Sequence, residues 1–178
     1  MQTRIKGTGN NHVIIKDLDT EKRYVSGYLS VFDIEDSEKD IMLRGCFQES
    51  IKKNFKRIKF LREHDYQKPI GRFLTLKEDS YGLYFEAQLN KTREGLDALA
   101  LYENGELFEH SVGFVPVEYE VIPETGGILF KKVKLIEGSA VLWGANEKAI
   151  MLELKAQNDD KEDFNNKILN ILKTAWKS

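Results

Sequence analysis

Polar and apolar positions along this chain change rhythm several times, and each change predicts an element. Residues 12–16 are short and β-branched, Asp17-Leu18-Asp19-Thr20-Glu21 is turn-rich, and residues 24–32 resume a strand pattern, which predicts a hairpin. Residues 33–40 form an acidic loop. Over residues 45–55 the period lengthens: Phe47, Ile51 and Phe55 recur at i, i+4 and i+8, one apolar face of a helix. Residues 57–61 predict a strand that delivers His64 at or just past its end, with Pro69 punctuating the loop that follows.

Residues 70–76 and 83–89 flank Glu78-Asp79-Ser80-Tyr81-Gly82, a second hairpin. Residues 92–103 predict a helix with Leu96, Leu99, Ala100 and Glu103 on one face and Gly105 as its stop. Residues 107–121 and 128–136 pair around Pro123-Glu124-Thr125-Gly126-Gly127, a third hairpin, and a short strand follows at 139–142. About seven strands and two interrupting helices predict an α+β, mainly β domain whose sheet closes or nearly closes. The chain turns polar over residues 155–163, a linker. Residues 164–176 then carry Phe164, Ile168, Ile171, Leu172 and Ala175 at helical spacing. The division is a domain at 1–154 and an appendage at 155–178, whose amphipathic helix suits core packing and partner docking equally.

Composition narrows the partners. The 178 residues are 41% hydrophobic and 31% charged, ordinary for a globular protein. With 27 basic and 29 acidic side chains the net charge is -2, which argues against nucleic acid because phosphate binding draws on a basic excess. The local run Lys52-Lys53-Asn54-Phe55-Lys56-Arg57-Ile58-Lys59 is read as a solvated helix face and strand edge. Cys46 is the only cysteine, so no internal disulfide forms, which fits a reducing cytosol. Residues 1–7 lead into no apolar signal-peptide segment, and no apolar run approaches the roughly 18 residues of a membrane span, so no membrane partner is expected.

The candidate chemistry is a serine and a histidine set in apolar, strand-like runs: Ser111 ahead of Val112, Phe114, Val115 and Val117, and His64 behind Ile58, Phe60 and Leu61. A serine hydroxyl is a weak nucleophile near neutrality and needs a base, for which histidine is suited. His110 adjoins Ser111 but strand neighbours point to opposite faces, so it is poorly placed as that base; His12 is read as a surface residue. From residue types alone, a surface or structurally bonded His64 is the commoner outcome. A third group should orient the imidazole, and Asp65, Glu137 and Glu147 are the candidates. Glu137 stands between two apolar runs, where a carboxylate needs a partner or exposure at a turn. Three scattered histidines and one cysteine offer no metal-ligand spacing, and the acids at 33–40 lack the pattern of a calcium loop. No cofactor is expected.

In order along the chain, Gly27-Tyr28-Leu29-Ser30-Val31-Phe32, Asp40 with Gly45-Cys46-Phe47, Phe60-Leu61-Arg62-Glu63-His64-Asp65, Lys68-Pro69-Ile70-Gly71, Gly82-Leu83-Tyr84-Phe85-Glu86, Ser111-Val112-Gly113-Phe114 and Glu137-Gly138-Ser139-Ala140-Val141 with Ala145-Asn146 resemble the prohead maturation proteases of tailed bacteriophages. Each motif is short; their fixed order carries the likeness, from about residue 25 to 149. The resemblance implies an antiparallel β-barrel ringed by helices, similar to herpesvirus assembly proteases. It implies Ser111 as nucleophile, His64 as general base and Glu137 as third member, in a serine endopeptidase. The substrates implied are the major capsid protein, its scaffold segment and the protease itself, in host cytoplasm inside assembling proheads, with self-association a further expectation. The turn Gly144-Ala145-Asn146 is the expected source of oxyanion donors.

Three positions depart from the family pattern: the loop at 33–39 is more charged and lacks a glycine, Gly138 replaces a branched apolar residue, and His110 replaces an apolar one. Two other functions compete. One is a non-catalytic capsid-assembly or scaffolding module on the same fold. The other is a hydrolase of small esters, disfavoured because no Gly-x-Ser-x-Gly elbow surrounds Ser111.

Overall fold

The computed structural model describes residues 2–6, 12–16, 23–107 and 109–155, with side chains over 23–107 and 109–152. In chain order the elements are β1 (Gln2–Lys6), β2 (His12–Lys16), β3 (Tyr24–Val31), β4 (Ile41–Met42), α1 (Gln48–Asn54) continued by a 3-10 turn (Phe55–Arg57), β5 (Lys59–Arg62), β6 (Asp65–Glu78), β7 (Gly82–Leu89), α2 (Arg93–Glu103), β8 (Glu109–Val121), β9 (Ile128–Val141) and β10 (Met151–Lys155). Eight strands form one sheet: β10, β3, β7, β6, β5 and β9 lie side by side, with β4 and β8 also on β9.

The hairpins predicted at β6/β7 and β8/β9 are present, Phe73 facing Ala87 and Ser111 facing Ser139. The first predicted hairpin is not. Residues 12–16 pair with β1, while β3 lies between β7 and β10. The predicted turn at 17–21 lies outside the described residues, as do the tail helix at 164–176 and all of the linker after Lys155, which itself ends β10.

The expected closed or nearly closed antiparallel barrel is corrected on two counts. β4 and β5 both run parallel to β9, so the sheet is mixed. The sheet also stays open: β8 has a ladder only with β9, and it meets the segment before β10 through an isolated bridge, Glu109 to Ile150. Towards its far end β8 leaves Val115, Val117, Tyr119 and Val121 exposed, while Phe130, Val133 and Leu135 of β9 stay in the core.

Further differences are local. β6 begins at Asp65, so Pro69 sits inside a strand rather than in a loop; it faces Leu61 at a register shift, where the missing N–H breaks no regular ladder. β9 runs on to Val141 and so takes in the predicted short strand at 139–142 except its last residue. Helix α2 is capped by Thr92 and ends before Gly105 as predicted, but it buries Gly95, Ala98 and Tyr102 instead of Leu96 and Ala100. Tyr102 reaches inward, where its hydroxyl lies 2.9 Å from His110 Nε2.

The core gathers Phe47 from the residue before α1 with Phe60, Phe73 and Phe85 from β5, β6 and β7, whose ring centroids lie 5.0–5.8 Å apart. Each such buried aromatic stabilises the fold by about 1.5–3 kcal/mol. A β-carbon at Gly138 would collide with Leu29 and Phe73, so glycine at this position admits core side chains against β9. Among the described residues no helix is long and apolar enough to cross a membrane.

Candidate active site

β9 supplies the floor. Glu137 and Ser139 are two residues apart on a strand and share a face, while Gly138 and Ala140 turn to the core. On β8, Ser111 lies opposite Ser139 and Gly113 opposite Glu137. Facing residues of an antiparallel pair project to the same side, so Ser111, Gly113, Glu137 and Ser139 form one patch. His110 turns the other way. Its ring is fully buried, packs edge-on against Phe85 at 4.7 Å, and its Nε2 lies 2.9 Å from the Tyr102 hydroxyl. Burial pushes its pKa down to about 3, because the charged imidazolium would lose its water.

His64 arrives from the other side of β9. β5 pairs with it in parallel, Leu61 level with Ser139, and the chain then turns through Glu63 and His64 at φ 52° and 55°. Left-handed backbone at a residue with a β-carbon costs on the order of 1–3 kcal/mol and needs support from its surroundings. β9 gives it: the Glu63 N–H donates to the Ala140 carbonyl at 3.0 Å, the His64 N–H to Ser139 Oγ at 3.2 Å, and Glu63 Oε1 accepts from the Leu142 N–H at 2.7 Å.

Two side chains then meet. His64 Nδ1 lies 2.6 Å from Glu137 Oε1, and Glu137, only 1% exposed, accepts at its other oxygen from Ser139 Oγ, also at 2.6 Å. A carboxylate only accepts, so Nδ1 carries the proton and Nε2 keeps the lone pair. The hydrogen bond to Glu137 raises the His64 pKa above its ordinary value; partial burial opposes it, and the charges of Glu137 and Glu63 add to the rise. Of the other two acids, Asp65 is bonded to Lys68 at 2.9 Å and Glu147 is exposed.

His64 and Ser111 line a cavity of about 330 Å³ together with Phe114, Trp143, Ala145 and Asn146. In the turn after β9, Gly144 donates its N–H to Glu109 Oε2 at 2.7 Å and Leu142 donates to Glu63. The Asn146 amide donates to the Val31 carbonyl and the Ala145 carbonyl accepts from Ser37, which fixes the turn against β3 and the acidic loop. The N–H groups of Ala145 and Asn146 have no acceptor among the described residues. The acids of the loop fold it: Asp36 Oδ1 accepts from the N–H groups of Glu38 and Asp40, and Asp40 Oδ1 from Ile128. The loop also puts Asp33 and Lys39 in left-handed backbone, at φ 58° and 69°.

Sequence reasoning assigned no role to Ser139 or Gly113. Each lies two positions from a predicted site residue on the same strand, and that spacing was the available signal.

This open mixed sheet, with an imidazole–carboxylate pair beside a serine, has known relatives. Residues 11–162 match the Caudovirus prohead serine protease family, and the chain belongs to it. It is 31% identical over 160 residues to the prohead protease of Enterobacteria phage HK97, a match covering 87% of this chain and 66% of that protein. It is likewise 31% identical over 150 residues to the capsid polyprotein of Pseudomonas phage PAJU2, covering 80% of this chain and 21% of the relative. The chain therefore corresponds to a part of each. Among solved structures, the capsid assembly protease of bacteriophage T4 shares the fold, with a TM-score of 0.55 at 11% identity over 79% of this chain and 90% of that one. The KSHV protease bound to a hexapeptide phosphonate inhibitor aligns with a TM-score of 0.48 at 13% identity, over 72% of this chain and 63% of the other.

Proposed function

We propose that this chain is a serine endopeptidase that cleaves scaffold or capsid protein, and itself, during prohead maturation in the host bacterial cytoplasm. Ser111 is the nucleophile, His64 the general base and Glu137 the residue that orients and balances the imidazole. The observation that carries this reading is the 2.6 Å contact between His64 Nδ1 and the buried Glu137, made at the wall of a cavity that Ser111 also lines. A histidine so held presents Nε2 as its basic nitrogen, the requirement for activating a hydroxyl. Family membership and the name of the PAJU2 relative support capsid protein as the substrate and partner.

In this mechanism Ser111 Oγ attacks the scissile carbonyl carbon while its proton passes to His64 Nε2. The imidazolium is stabilised by Glu137 and then protonates the amine as the C–N bond breaks. Water repeats the sequence on the acyl-enzyme. The Ala145 and Asn146 N–H groups are the donors suited to the oxyanion, since those of Leu142 and Gly144 are already engaged by carboxylates.

The test is coexpression with the capsid protein. Ser111→Ala should fold normally and leave the capsid protein uncut; undiminished processing rejects the assignment. A serine-directed phosphonate should label Ser111 in the folded protein. A folded protein that resists labelling and cuts nothing would instead be a capsid-assembly module.

A further inference from the structure

We infer that Ser139 is a positioning residue for this site: its single hydroxyl fixes both the Glu137 carboxylate and the backbone of His64. The inference rests on the proposed roles of His64 and Glu137, and it adds a residue that touches neither substrate nor the reacting atoms.

Ser139 Oγ has one proton and donates it to Glu137 Oε2 at 2.6 Å, while its lone pair accepts the His64 N–H at 3.2 Å. The acid and the base are thus joined twice, directly through Oε1 and Nδ1 and again through this hydroxyl. Each link answers a specific need. A carboxylate on a flexible stem can rotate, and one oxygen held by Ser139 leaves the other facing the imidazole. His64 also sits in left-handed backbone, and Ser139 supplies the side-chain hydrogen bond that holds its N–H there. Ser139 is completely buried on β9, level with Ser111 on one side and Leu61 on the other, so the post is rigid. A serine that served packing alone would need no hydroxyl; a buried hydroxyl must be bonded, and this one is spent entirely on the acid and the base.

The experiment compares Ser139→Ala with wild type by two readouts. The first needs no protease activity: proton and nitrogen NMR of the His64 ring. Wild type should show a far-downfield Nδ1–H resonance and a ring titration midpoint above the ordinary histidine value. Ser139→Ala should broaden or lose that resonance and lower the midpoint. The second is kinetic: kcat should fall about tenfold or more with KM within about twofold, as loss of an orienting partner does elsewhere. In a Glu137→Ala background the same substitution should cost clearly less than in wild type, because one of the two groups it holds is gone and only the His64 N–H remains.

A Ser139→Ala protein with the wild-type resonance and midpoint overturns the inference, as does a loss that simply adds to that of Glu137→Ala. If Ser139→Ala fails to fold, Ser139→Cys keeps the volume with a weaker donor and is judged by the same two readouts. Retained cleavage by Ser111→Ala would reject the catalytic reading, while the NMR result would still decide whether Ser139 holds the pair.

Discussion

The Glu137 carboxylate occupies the space a side chain on Gly113 would fill: a β-carbon built there runs into Oε1, the oxygen that bonds His64. Gly113 faces Glu137 directly on β8, and the clash is with the end of its side chain, so relief comes from the carboxylate swinging off His64. Gly113→Ala should therefore displace the acid and reduce kcat by about 100-fold, the scale of an ångström-sized misplacement. Overpacking should lower stability by about 1–3 kcal/mol, measurable by urea unfolding. Wild-type kcat in a folded Gly113→Ala protein would show that the carboxylate position is dispensable.

The pH dependence follows from the same acid. In the proposed mechanism His64 serves as a base only when neutral, and its hydrogen bond to Glu137 favours the charged form and raises its pKa. The acid limb of kcat/KM should therefore rise with a midpoint above the ordinary histidine value of 6.5. Glu137→Gln removes the main cause and leaves burial, which acts in the opposite direction. Its midpoint should move down while kcat falls by roughly 10³–10⁴, because an amide NH2 turned towards Nδ1 stabilises the wrong tautomer. A pH–rate profile of both proteins checks the sign.

Acid stability has a different source. His110 is neutral in the folded protein, with its pKa lowered from 6.5 to about 3, whereas in the unfolded chain it titrates normally. The unfolded state thus binds more protons between these values. The stability held by a neutral His110 is complete above about pH 6.5 and is lost progressively towards pH 3, at up to about 1.4 kcal/mol per pH unit. Urea midpoints between pH 7 and pH 4 should fall steeply in wild type. They should fall less in His110→Phe combined with Tyr102→Phe, which removes both partners of the buried pair.

Trp143 is 86% exposed at the rim of the cavity that His64 and Ser111 line, beside Leu142 at 62%. Large exposed apolar side chains at a cavity mark contact sites. Trp143→Ala should raise KM several-fold for a capsid-derived peptide and leave kcat within about twofold, the pattern of lost uniform binding. Its stability should stay within about 0.5 kcal/mol of wild type. Unchanged KM would place the substrate elsewhere.

What the sequence made legible was mostly local. The turns at 78–82 and 123–127 announced β6/β7 and β8/β9 because hairpins declare themselves in their connecting residues. The parallel pairing of β5 with β9 joins segments with no shared turn, so alternation could suggest two strands but not their adjacency. That pairing carries His64 to Glu137, and the motif resemblance, not periodicity, singled out Glu137 from three acids. The orientation of α2 was missed because its inward Tyr102 meets a histidine on the next strand whose burial the apolar periodicity of the helix does not encode.

The two left-handed residues at 63 and 64 also bear on timing. Their anchors lie on a strand some 75 positions later in the chain, His64 to Ser139 being that far apart. Closing so long a loop is entropically slow compared with forming the hairpins. Until it closes, nothing holds the imidazole against Glu137. On the proposed mechanism, therefore, the ability to cleave arrives only with the finished tertiary structure.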